Sequence, residues 1–413
     1  TWKDGRRSQL FVADLDEDLK AKEEPVHISR GIDGDIPSKP FGDASEYTFS
    51  PDSTSLVFAA RIAGRTVAWS TNLDLFMAPV DGTAAPVNLT ADNQAWDNKP
   101  LFSADGKTLY YLAMKRPGFE ADRHAIIAKT LSTGANREVA PDWDRSAGTL
   151  RWSGDGQSLL TTADDNGEKP LFGVAVASGD VTRIVADGNI NGFSVAGDRI
   201  VFGRDTLKSP SDLFAMQVNG SDVNQLTSFN ARALRDIAMG DFEFFDFVGW
   251  NDERVQGYVV KPYGFEEGGK YPVAFIIHGG PQGAMSNDFH YRWNPQTYSG
   301  QGYAVVTINF HGSTGYGQDF TDSISGDWGG KPLVDLQKGL AAALDRYDWL
   351  DGDRVCALGA SYGGYMVNWI AGNWNEPFRC LVNHDGIFDN RSMAFTTEEL
   401  WFDEWEMGGT YYD

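Results

Sequence analysis

The first 231 residues alternate apolar and polar positions in short runs separated by turns. One series pairs two apolar strands across a turn built on Asp or Gly, and it begins at Tyr47, Pro100, Leu150 and Phe193. A second series is a single alternating strand, and it begins at Leu10, Leu75, Leu171 and Leu213, with a looser copy at Ala125. Period-two alternation predicts antiparallel strands, and Asp-Gly at 105–106 and 155–156 predicts hairpin turns.

The two series recur together at roughly 40 to 55 residues, which is the spacing of a four-stranded propeller blade. We therefore predict a β-propeller of about five blades at residues 1–231; an irregular β-sandwich is the alternative. The chain opens in the middle of this pattern with Thr1 rather than Met. Because an open propeller leaves sheet edges unpaired, we expect blades to be missing at the N-terminus.

The pattern changes after residue 231. Residues 243–250 and 254–262 predict an antiparallel pair, and strictly apolar runs follow at 273–277, 303–308, 355–358 and 380–382. Such runs are typical of parallel strands that are buried on both faces. Between the second and third runs, Leu333, Leu336, Leu340 and Leu344 recur at helical spacing after Pro332. Residues 232–413 are thus predicted to form an α/β domain.

A serine stands at the end of the third apolar run, in V-C-A-L-G-A-S-Y-G-G-Y. Ser361 lies between that predicted strand and a plausible helix at 365–371, with Gly359 and Gly363 on either side. Strand, sharp turn and helix form the nucleophile elbow of a hydrolase, in which the glycines prevent backbone collisions. We predict that Ser361 is a catalytic nucleophile; a tight structural turn is the alternative.

The H-G-G-P segment at 278–281 follows the first apolar run. In a hydrolase of this layout, a backbone N–H of that loop and the N–H after the nucleophile bind the oxyanion. Gly280 and Tyr362 are the predicted donors, unless the glycines merely permit a turn. His278 precedes the serine, whereas the base follows it in this fold, so we do not predict it to be the base.

Composition excludes several classes of function. With 35 basic and 58 acidic residues, the net charge of −23 argues against nucleic acid and anionic membranes as partners. The sequence contains no run of 18 apolar residues, so it predicts no membrane insertion. Cys356 and Cys380 both lie in apolar runs and are expected to be buried free thiols, with a disulfide as the alternative. We expect no cofactor and no metal.

Three motifs in this order, 278–281, G-S-T-G-Y-G at 312–317 and G-A-S-Y-G-G-Y at 359–365, resemble the prolyl oligopeptidase family of serine peptidases. Within it, the chain most resembles bacterial dipeptidyl peptidase five and the acylaminoacyl peptidases. The resemblance covers essentially the whole chain and implies a β-propeller joined to an α/β-hydrolase domain. His311 departs from the arginine that many members have before G-S-T-G-Y-G, and we interpret it as structural.

The same resemblance implies the lining of the S1 pocket, which holds the P1 side chain. Residues 397–406 resemble a segment that lines this pocket in the dipeptidyl peptidases. Tyr362, Phe388, Trp401 and Phe402 would then surround P1, although each aromatic could equally belong to a core. Aromatic walls favour an apolar P1 side chain.

The acid and base of the triad are not evident. His384 is the only histidine after Ser361, and it lies on the strand directly after the nucleophile helix, too early for the base by resemblance. Asp385 and Asp389 are similarly weak candidates for the acid. We expect the triad Asp and His to lie beyond residue 413, so that the catalytic domain is truncated and the 413 residues alone are nearly inactive.

The sequence thus predicts a serine exopeptidase that releases N-terminal dipeptides with an apolar P1 from short peptides through an acyl-enzyme on Ser361. An acylaminoacyl peptidase or oligopeptidase of the same family is the alternative, and an esterase is not excluded. A propeller-based binding protein with a vestigial hydrolase domain is the alternative from another class. We expect a periplasmic or secreted protein, with the cytoplasm as the alternative, and allow for a homodimer.

Overall fold

The computed structural model describes residues 5–39, 42–62 and 64–412. Thr1 and Asp413 lie outside this part. The expectations of missing blades at the N-terminus and of triad residues beyond residue 413 refer to these two ends. Two compact units are present. The first comprises the residues up to Thr161 together with Gly173–Thr182 and Glu398–Phe402, and the second comprises Thr162–Phe172, Arg183–Thr397 and the residues from Asp403 onward. The domain boundary between 231 and 232 stays a prediction.

The repeating half of the chain forms small sheets whose strands neighbour one another in chain order. A two-stranded sheet consists of β1 (Phe11–Val12) and β2 (Val26–His27). Two four-stranded sheets follow, formed by β3 (Tyr47–Phe49), β4 (Ser55–Ala60), β5 (Asp74–Pro79) and β6 (Val87–Asn88), and by β7 (Asp97–Phe102), β8 (Thr108–Ala113), β9 (Ala125–Thr130) and β10 (Asn136–Glu138). Two more are formed by β11 (Arg151–Trp152), β12 (Ser158–Thr162), β13 (Leu171–Ala175) and β14 (Val181–Val185), and by β15 (Asn189–Ala196), β16 (Arg199–Thr206), β17 (Ser209–Gln217) and β18 (Asn224–Gln225). Both repeating series of the sequence therefore form the predicted strands.

Three of these sheets close their first hairpin with the same side-chain bonds. The hydroxyl groups of Ser50, Ser103 and Ser153 each donate to the aspartate two residues later, at 2.6 to 2.7 Å. The same hydroxyl oxygens accept the N–H five residues later at 3.0 Å. Gly106 and Gly156 adopt a positive φ that glycine reaches without strain. The recurring S-x-D pattern is thus a local turn signal.

Alternate residues of one strand pack against different neighbours in the first unit. On β8, Tyr110 belongs to a core cluster with residues of β12 and β13, whereas Tyr111 belongs to a cluster with residues of β4 and β5. The indole of Trp152 also donates to the Phe102 carbonyl of the preceding sheet at 2.7 Å. Sheets that are packed face to face in sequence order are the arrangement of propeller blades.

The second unit contains a six-stranded sheet in the order β19-β20-β22-β21-β23-β24. Its strands are β19 (Phe242–Val248), β20 (Arg254–Val260), β21 (Tyr271–Ile277), β22 (Ala304–Asn309), β23 (Leu350–Ala360) and β24 (Phe378–His384). β20 pairs antiparallel with β19 and β22, and the other pairs are parallel. All four predicted apolar runs therefore lie in strands, and β22 is buried throughout.

The described residues contain seven α-helices. They are α1 (Ala231–Leu234), α2 (Pro295–Ser299), α3 (Gln318–Asp322), α4 (Lys331–Arg346), α5 (Tyr362–Asn373), α6 (Asn390–Thr396) and α7 (Leu400–Met407), and short 3-10 helices lie at Ala44–Glu46, Gly64–Trp69 and Trp250–Asp252. The predicted helix is α4, which has Pro332 in its first turn and buries Leu336 and Leu340. Among the described residues, no helix is long and apolar enough to cross a membrane.

The expectation of two free thiols is wrong. Cys356 on β23 and Cys380 on β24 are register partners with Cα atoms 4.7 Å apart, and they form a disulfide. Each lies in an apolar run, which is why the sequence favoured buried thiols, but Cys380 is exposed on the outer strand of the sheet. Strand register brings the two sulfurs together, and register is not readable from one sequence.

Loss of this disulfide is expected to destabilise the sheet. Its cysteines are 24 residues apart. Closing a loop of that length raises the free energy of the unfolded state by about 3 kcal/mol, because it lowers the entropy of the unfolded chain. Replacing both with serine (Cys356→Ser with Cys380→Ser) should lower the thermal unfolding midpoint, and reductant should lower it in the parent but not in the double variant. Equal midpoints for the parent with and without reductant would contradict a formed disulfide.

Candidate active site

Ser361 occupies a sharp turn between β23 and α5. Its φ of 56° and ψ of −121° lie in a region that residues with a Cβ rarely adopt. The Ser361 N–H donates to the His384 carbonyl at the end of β24, and its carbonyl accepts the Tyr365 N–H. The side chain is exposed at the carboxyl end of a buried strand. Strained backbone at this place is typical of a nucleophile elbow.

The glycines around the serine are required by close backbone contacts. A Cβ on Gly359 would overlap the backbone of Gly363, and a Cβ on Gly363 would overlap the Ile277 carbonyl oxygen. Gly364 has the same restriction, because a Cβ there would lie 2.6 Å from the Gly386 Cα. The approaches at Gly359 and Gly363 bring the end of β23, the start of α5 and the end of β21 into contact. Backbone collisions at these two glycines are what the sequence predicts.

The H-G-G-P turn lies against this elbow. A Cβ on Gly279 would be 3.0 Å from the Ala360 carbonyl oxygen and 3.4 Å from the Ser361 Cβ. Gly280 has a φ of 133°, which favours glycine. The structure therefore brings together the segments that carry Ser361, Gly280 and Tyr362, although the two oxyanion roles stay predictions.

His278 holds the H-G-G-P turn and does not act on Ser361. Its ring is buried, its Nδ1–H donates to the Gly279 carbonyl at 2.8 Å, and its Nε2 accepts from the Ser313 hydroxyl at 2.8 Å. Burial lowers the pKa of His278 to about 4, so the ring is neutral near pH 7. The Gly279 carbonyl and the Gly280 N–H belong to one planar peptide and point in opposite directions. Fixing the carbonyl therefore fixes the N–H.

A second side chain holds the loop that follows. Asn309, at the end of β22, accepts the Met285 N–H at 2.8 Å and donates to the Met285 carbonyl at 3.0 Å. The sequence patterns predict no role for Asn309 or for Ser313. Ser313 belongs to the quoted G-S-T-G-Y-G motif, but only the fold shows that its hydroxyl meets the imidazole of His278.

A cavity of about 350 Å³ opens beside Ser361 within the second unit. Most of its wall is apolar, and the side chains include Leu207, Tyr258, Ile276, Met285, Tyr298 and Val382. Polar side chains also line it, namely Asp288, His290, Arg292, His384 and Asp385. Burial, with a smaller contribution from Asp205, raises the pKa of Asp288. An apolar space with a few polar groups next to a nucleophile suits a peptide-like ligand.

His384 lies near Ser361 in the fold but does not contact its hydroxyl. Its Nε2 pairs with the neighbouring Asp385 at 2.9 Å, and both side chains are largely exposed. Asp389 caps α6 by accepting the Arg391 N–H. Across the described residues, no histidine ring hydrogen-bonds to the Ser361 hydroxyl.

His311 is structural, as the sequence analysis interprets it. Its side chain is 1% exposed, its Nδ1 lies 2.6 Å from Asp335 and its Nε2 lies 3.1 Å from Glu253. Burial alone would lower the pKa of His311, but hydrogen bonds and charge attraction from Asp335 and Glu253 outweigh it and raise the pKa. The ring also stacks on Phe320 at 4.3 Å. It thus ties β22 to α4 and leaves no nitrogen for substrate.

The predicted S1 residues are not brought into the cavity beside Ser361. Phe388 is 91% exposed, and the indole of Trp401 donates to Glu120 at 2.9 Å within the first unit. Phe402 also groups with the first unit. None of the three lines the cavity, so their S1 roles stay predictions.

The ring of Tyr362 lies in the interior and does not line the cavity beside Ser361. The side chain is fully buried, and its hydroxyl donates to the Trp328 carbonyl at 2.6 Å. Burial raises the pKa of this hydroxyl well above its usual value. A ring with no exposed surface argues against the predicted contact of the Tyr362 side chain with P1, and the oxyanion role of its N–H stays a prediction.

Blade-like sheets, a mixed sheet with helices and a strained serine at the end of a central strand define a β-propeller and α/β-hydrolase protein with a nucleophile elbow. Residues 289–413 match the prolyl oligopeptidase family. The chain is 36% identical to the probable dipeptidyl-peptidase 5 of Emericella nidulans over 394 residues, which cover 91% of this chain and 54% of the relative. It is 30% identical to dipeptidyl-peptidase 5 of Schizosaccharomyces pombe over 424 residues, which cover 100% of this chain and 61% of the relative.

The predicted resemblance to the prolyl oligopeptidase family is thus confirmed. Among solved structures the chain is similar to Pyrococcus horikoshii acylaminoacyl peptidase in an orthorhombic crystal form, with a TM-score of 0.73 and 22% identity. That match covers 90% of this chain and 57% of the other, and it confirms the predicted fold class. The chain spans about half the length of the curated relatives that it matches.

Relief of strain at the elbow should stabilise the protein. A non-glycine residue in such a conformation costs about 1–3 kcal/mol, and glycine loses about 0.5–1 kcal/mol more chain entropy on folding. Ser361→Gly is therefore expected to raise the free energy of unfolding by about 1 kcal/mol, measured as a higher thermal midpoint. Ser361→Ala keeps the Cβ and is the control; equal stabilisation by alanine would show that the backbone is not the source.

Proposed function

We propose that the whole protein is a serine exopeptidase that hydrolyses short peptides and releases N-terminal dipeptides with an apolar P1. The observation that carries the proposal is the strained elbow of Ser361, packed against the H-G-G-P turn. The curated relatives are named dipeptidyl-peptidase 5, which supports the dipeptidyl reaction. An acylaminoacyl peptidase or oligopeptidase activity of the same family is the second candidate.

Ser361 would attack the carbonyl carbon of the peptide bond after P1, while a base takes the proton from its hydroxyl. The N–H groups of Gly280 and Tyr362 would bind the oxyanion of the tetrahedral intermediate. Collapse of the intermediate breaks the C–N bond and releases the shortened peptide as the amine, which receives the proton. Water then hydrolyses the acyl-enzyme and frees the dipeptide.

We assign the histidine base and its acid to no residue in the described part of the chain. The ring nitrogens of His278 and His311 bond elsewhere, and His384 pairs with its exposed neighbour Asp385. Without a base, a serine hydroxyl is a poor nucleophile at neutral pH.

The proposed substrates are short peptides with an apolar P1, and Phe388, Trp401 and Phe402 are the proposed S1 residues. A dipeptidyl peptidase also needs a carboxylate for the free amine of the substrate, and we assign none. The disulfide between Cys356 and Cys380 supports a periplasmic or secreted protein, because such bonds persist in oxidising compartments. A homodimer stays a prediction.

The intact elbow also bears on the rival proposal of a binding protein with a vestigial hydrolase domain. Strain at Ser361 costs stability, and such strain persists when it serves a function. A binding protein would have no use for it. Phosphonylation of Ser361 by a fluorophosphonate probe in the whole protein distinguishes the two, since a vestigial domain would leave the serine unlabelled.

Substrate preference tests the dipeptidyl activity. The whole protein should release the chromophore from free dipeptide chromogenic substrates with an apolar P1, and Ser361→Ala should abolish the release. N-acetylated dipeptides serve as the matched comparison, because they lack the free amine. Preference for the acetylated substrates would overturn the dipeptidyl proposal in favour of the acylaminoacyl alternative, and no cleavage of either would overturn both.

Loss of the His278 ring should displace the H-G-G-P turn. If the Gly280 N–H is an oxyanion donor, His278→Ala in the whole protein should lower kcat/KM by about 10²–10³-fold, which is the effect of losing one such donor. Ser313→Ala, which removes only the hydroxyl partner, should have a smaller effect in the same direction. His27→Ala, on β2, is the control. A His278→Ala variant with unchanged kcat/KM would show that the ring does not hold the donor.

A further inference from the structure

Glu406 on α7 is a buried carboxylate with an unusually complete set of partners. Its side chain is 1% exposed. The oxygen Oε1 accepts from the Gln282 amide at 2.7 Å and from the Ser325 hydroxyl at 3.0 Å, and Oε2 accepts from the Trp328 indole at 2.8 Å. Its backbone carbonyl accepts the Gly326 N–H at 2.8 Å. The family resemblance implies that residues 397–406 line the S1 pocket, but it implies no role for Glu406 itself.

Two of these bonds reach the segments that carry the proposed oxyanion donors. Gln282 is two residues after Gly280, in the turn that His278 also holds. Trp328 accepts the Tyr362 hydroxyl through its carbonyl at 2.6 Å, and its ring packs edge-on against the Tyr362 ring at 5.3 Å. One carboxylate therefore links the H-G-G-P turn, through Trp328, to Tyr362, the residue directly after Ser361.

The cost of burying the Glu406 carboxylate indicates that its hydrogen bonds hold these segments firmly together. Burial of a carboxylate is costly unless hydrogen bonds satisfy it, and charge-assisted hydrogen bonds are about twice as strong as neutral ones. Removal of the carboxylate would leave the Trp328 indole N–H without this acceptor inside the protein. The bonds of Glu406 thus restrict how far the segments of Gln282 and Trp328 can move apart.

We propose that Glu406 is a positioning residue for the oxyanion site, and that it sets the distance between the N–H groups of Gly280 and Tyr362. This inference rests on the proposed function, in which these two groups bind the oxyanion. Oxyanion donors act on charge that develops in the transition state. A displaced donor should therefore lower kcat and leave KM nearly unchanged.

The test compares variants of the whole protein. Glu406→Ala removes every side-chain bond and should lower kcat by about 10²-fold, the scale of a misplaced catalytic group. Glu406→Gln keeps the shape and one acceptor oxygen, and should lower kcat by less. Trp328→Phe removes the indole N–H but keeps an aromatic ring beside Tyr362, and should resemble Glu406→Gln. Glu267→Gln, at an exposed position of the second unit, is the control for loss of one negative charge and should retain the parent kcat.

A reciprocal exchange separates positioning from stability. Gln282→Glu alone faces a second carboxylate and should lower kcat strongly. When it is combined with Glu406→Gln, the amide at position 406 can donate to the carboxylate at 282 and still accept from Trp328. The double variant should therefore recover most of the parent kcat. Thermal midpoints of all variants are measured in parallel, so that any unfolding is accounted for.

The outcomes are distinct. A kcat loss at constant KM that the exchange rescues supports the inference. An active parent whose Glu406→Ala variant is folded and keeps its kcat overturns it, as does a loss confined to the thermal midpoint or to KM. A parent that neither cleaves dipeptide substrates nor labels at Ser361 refutes the proposed function itself. The Ser361 labelling rate of the parent thus separates the two failures.

Discussion

The catalytic half of the molecule depends on one steric constraint, the contact of three backbone segments at the elbow. The end of β21, the end of β23 and the first turn of α5 approach so closely that no Cβ fits at Gly359 or Gly363. This contact holds Ser361 in its strained conformation and brings Gly279 against it. The proposed chemistry requires the serine and the H-G-G-P turn to meet, and the backbone contact provides that meeting.

Two buried histidines near this contact show how surroundings decide protonation. The ring nitrogens of His278 bond a carbonyl and a hydroxyl rather than carboxylates, so burial dominates and its pKa falls. His311 is also buried, but it lies between the carboxylates of Asp335 and Glu253, and its pKa rises. The two rings serve the same end, because each joins loops around the sheet. Neither is available as the base of the proposed reaction.

Features with a local cause were predictable from the sequence. Hairpin turns, alternating strands and the helix α4 follow from residue patterns within a few positions of each other, and the elbow follows from its glycines. Features that depend on register or packing were not. The pairing of Cys356 with Cys380 requires the alignment of β23 with β24. The burial of the Tyr362 ring and the bonds of Glu406 likewise join segments that are far apart in the chain, and no spacing rule signals them.

The repeated serine–aspartate turn has a consequence for how the blades form. Each hairpin at Ser50, Ser103 and Ser153 closes with bonds that span at most five residues. Closing so short a loop has a small entropic cost, and contacts between blades arise mainly between neighbours in the sequence. A hairpin can therefore form before its neighbour does, so the sheets can begin folding at several places at once rather than in a fixed order from one end.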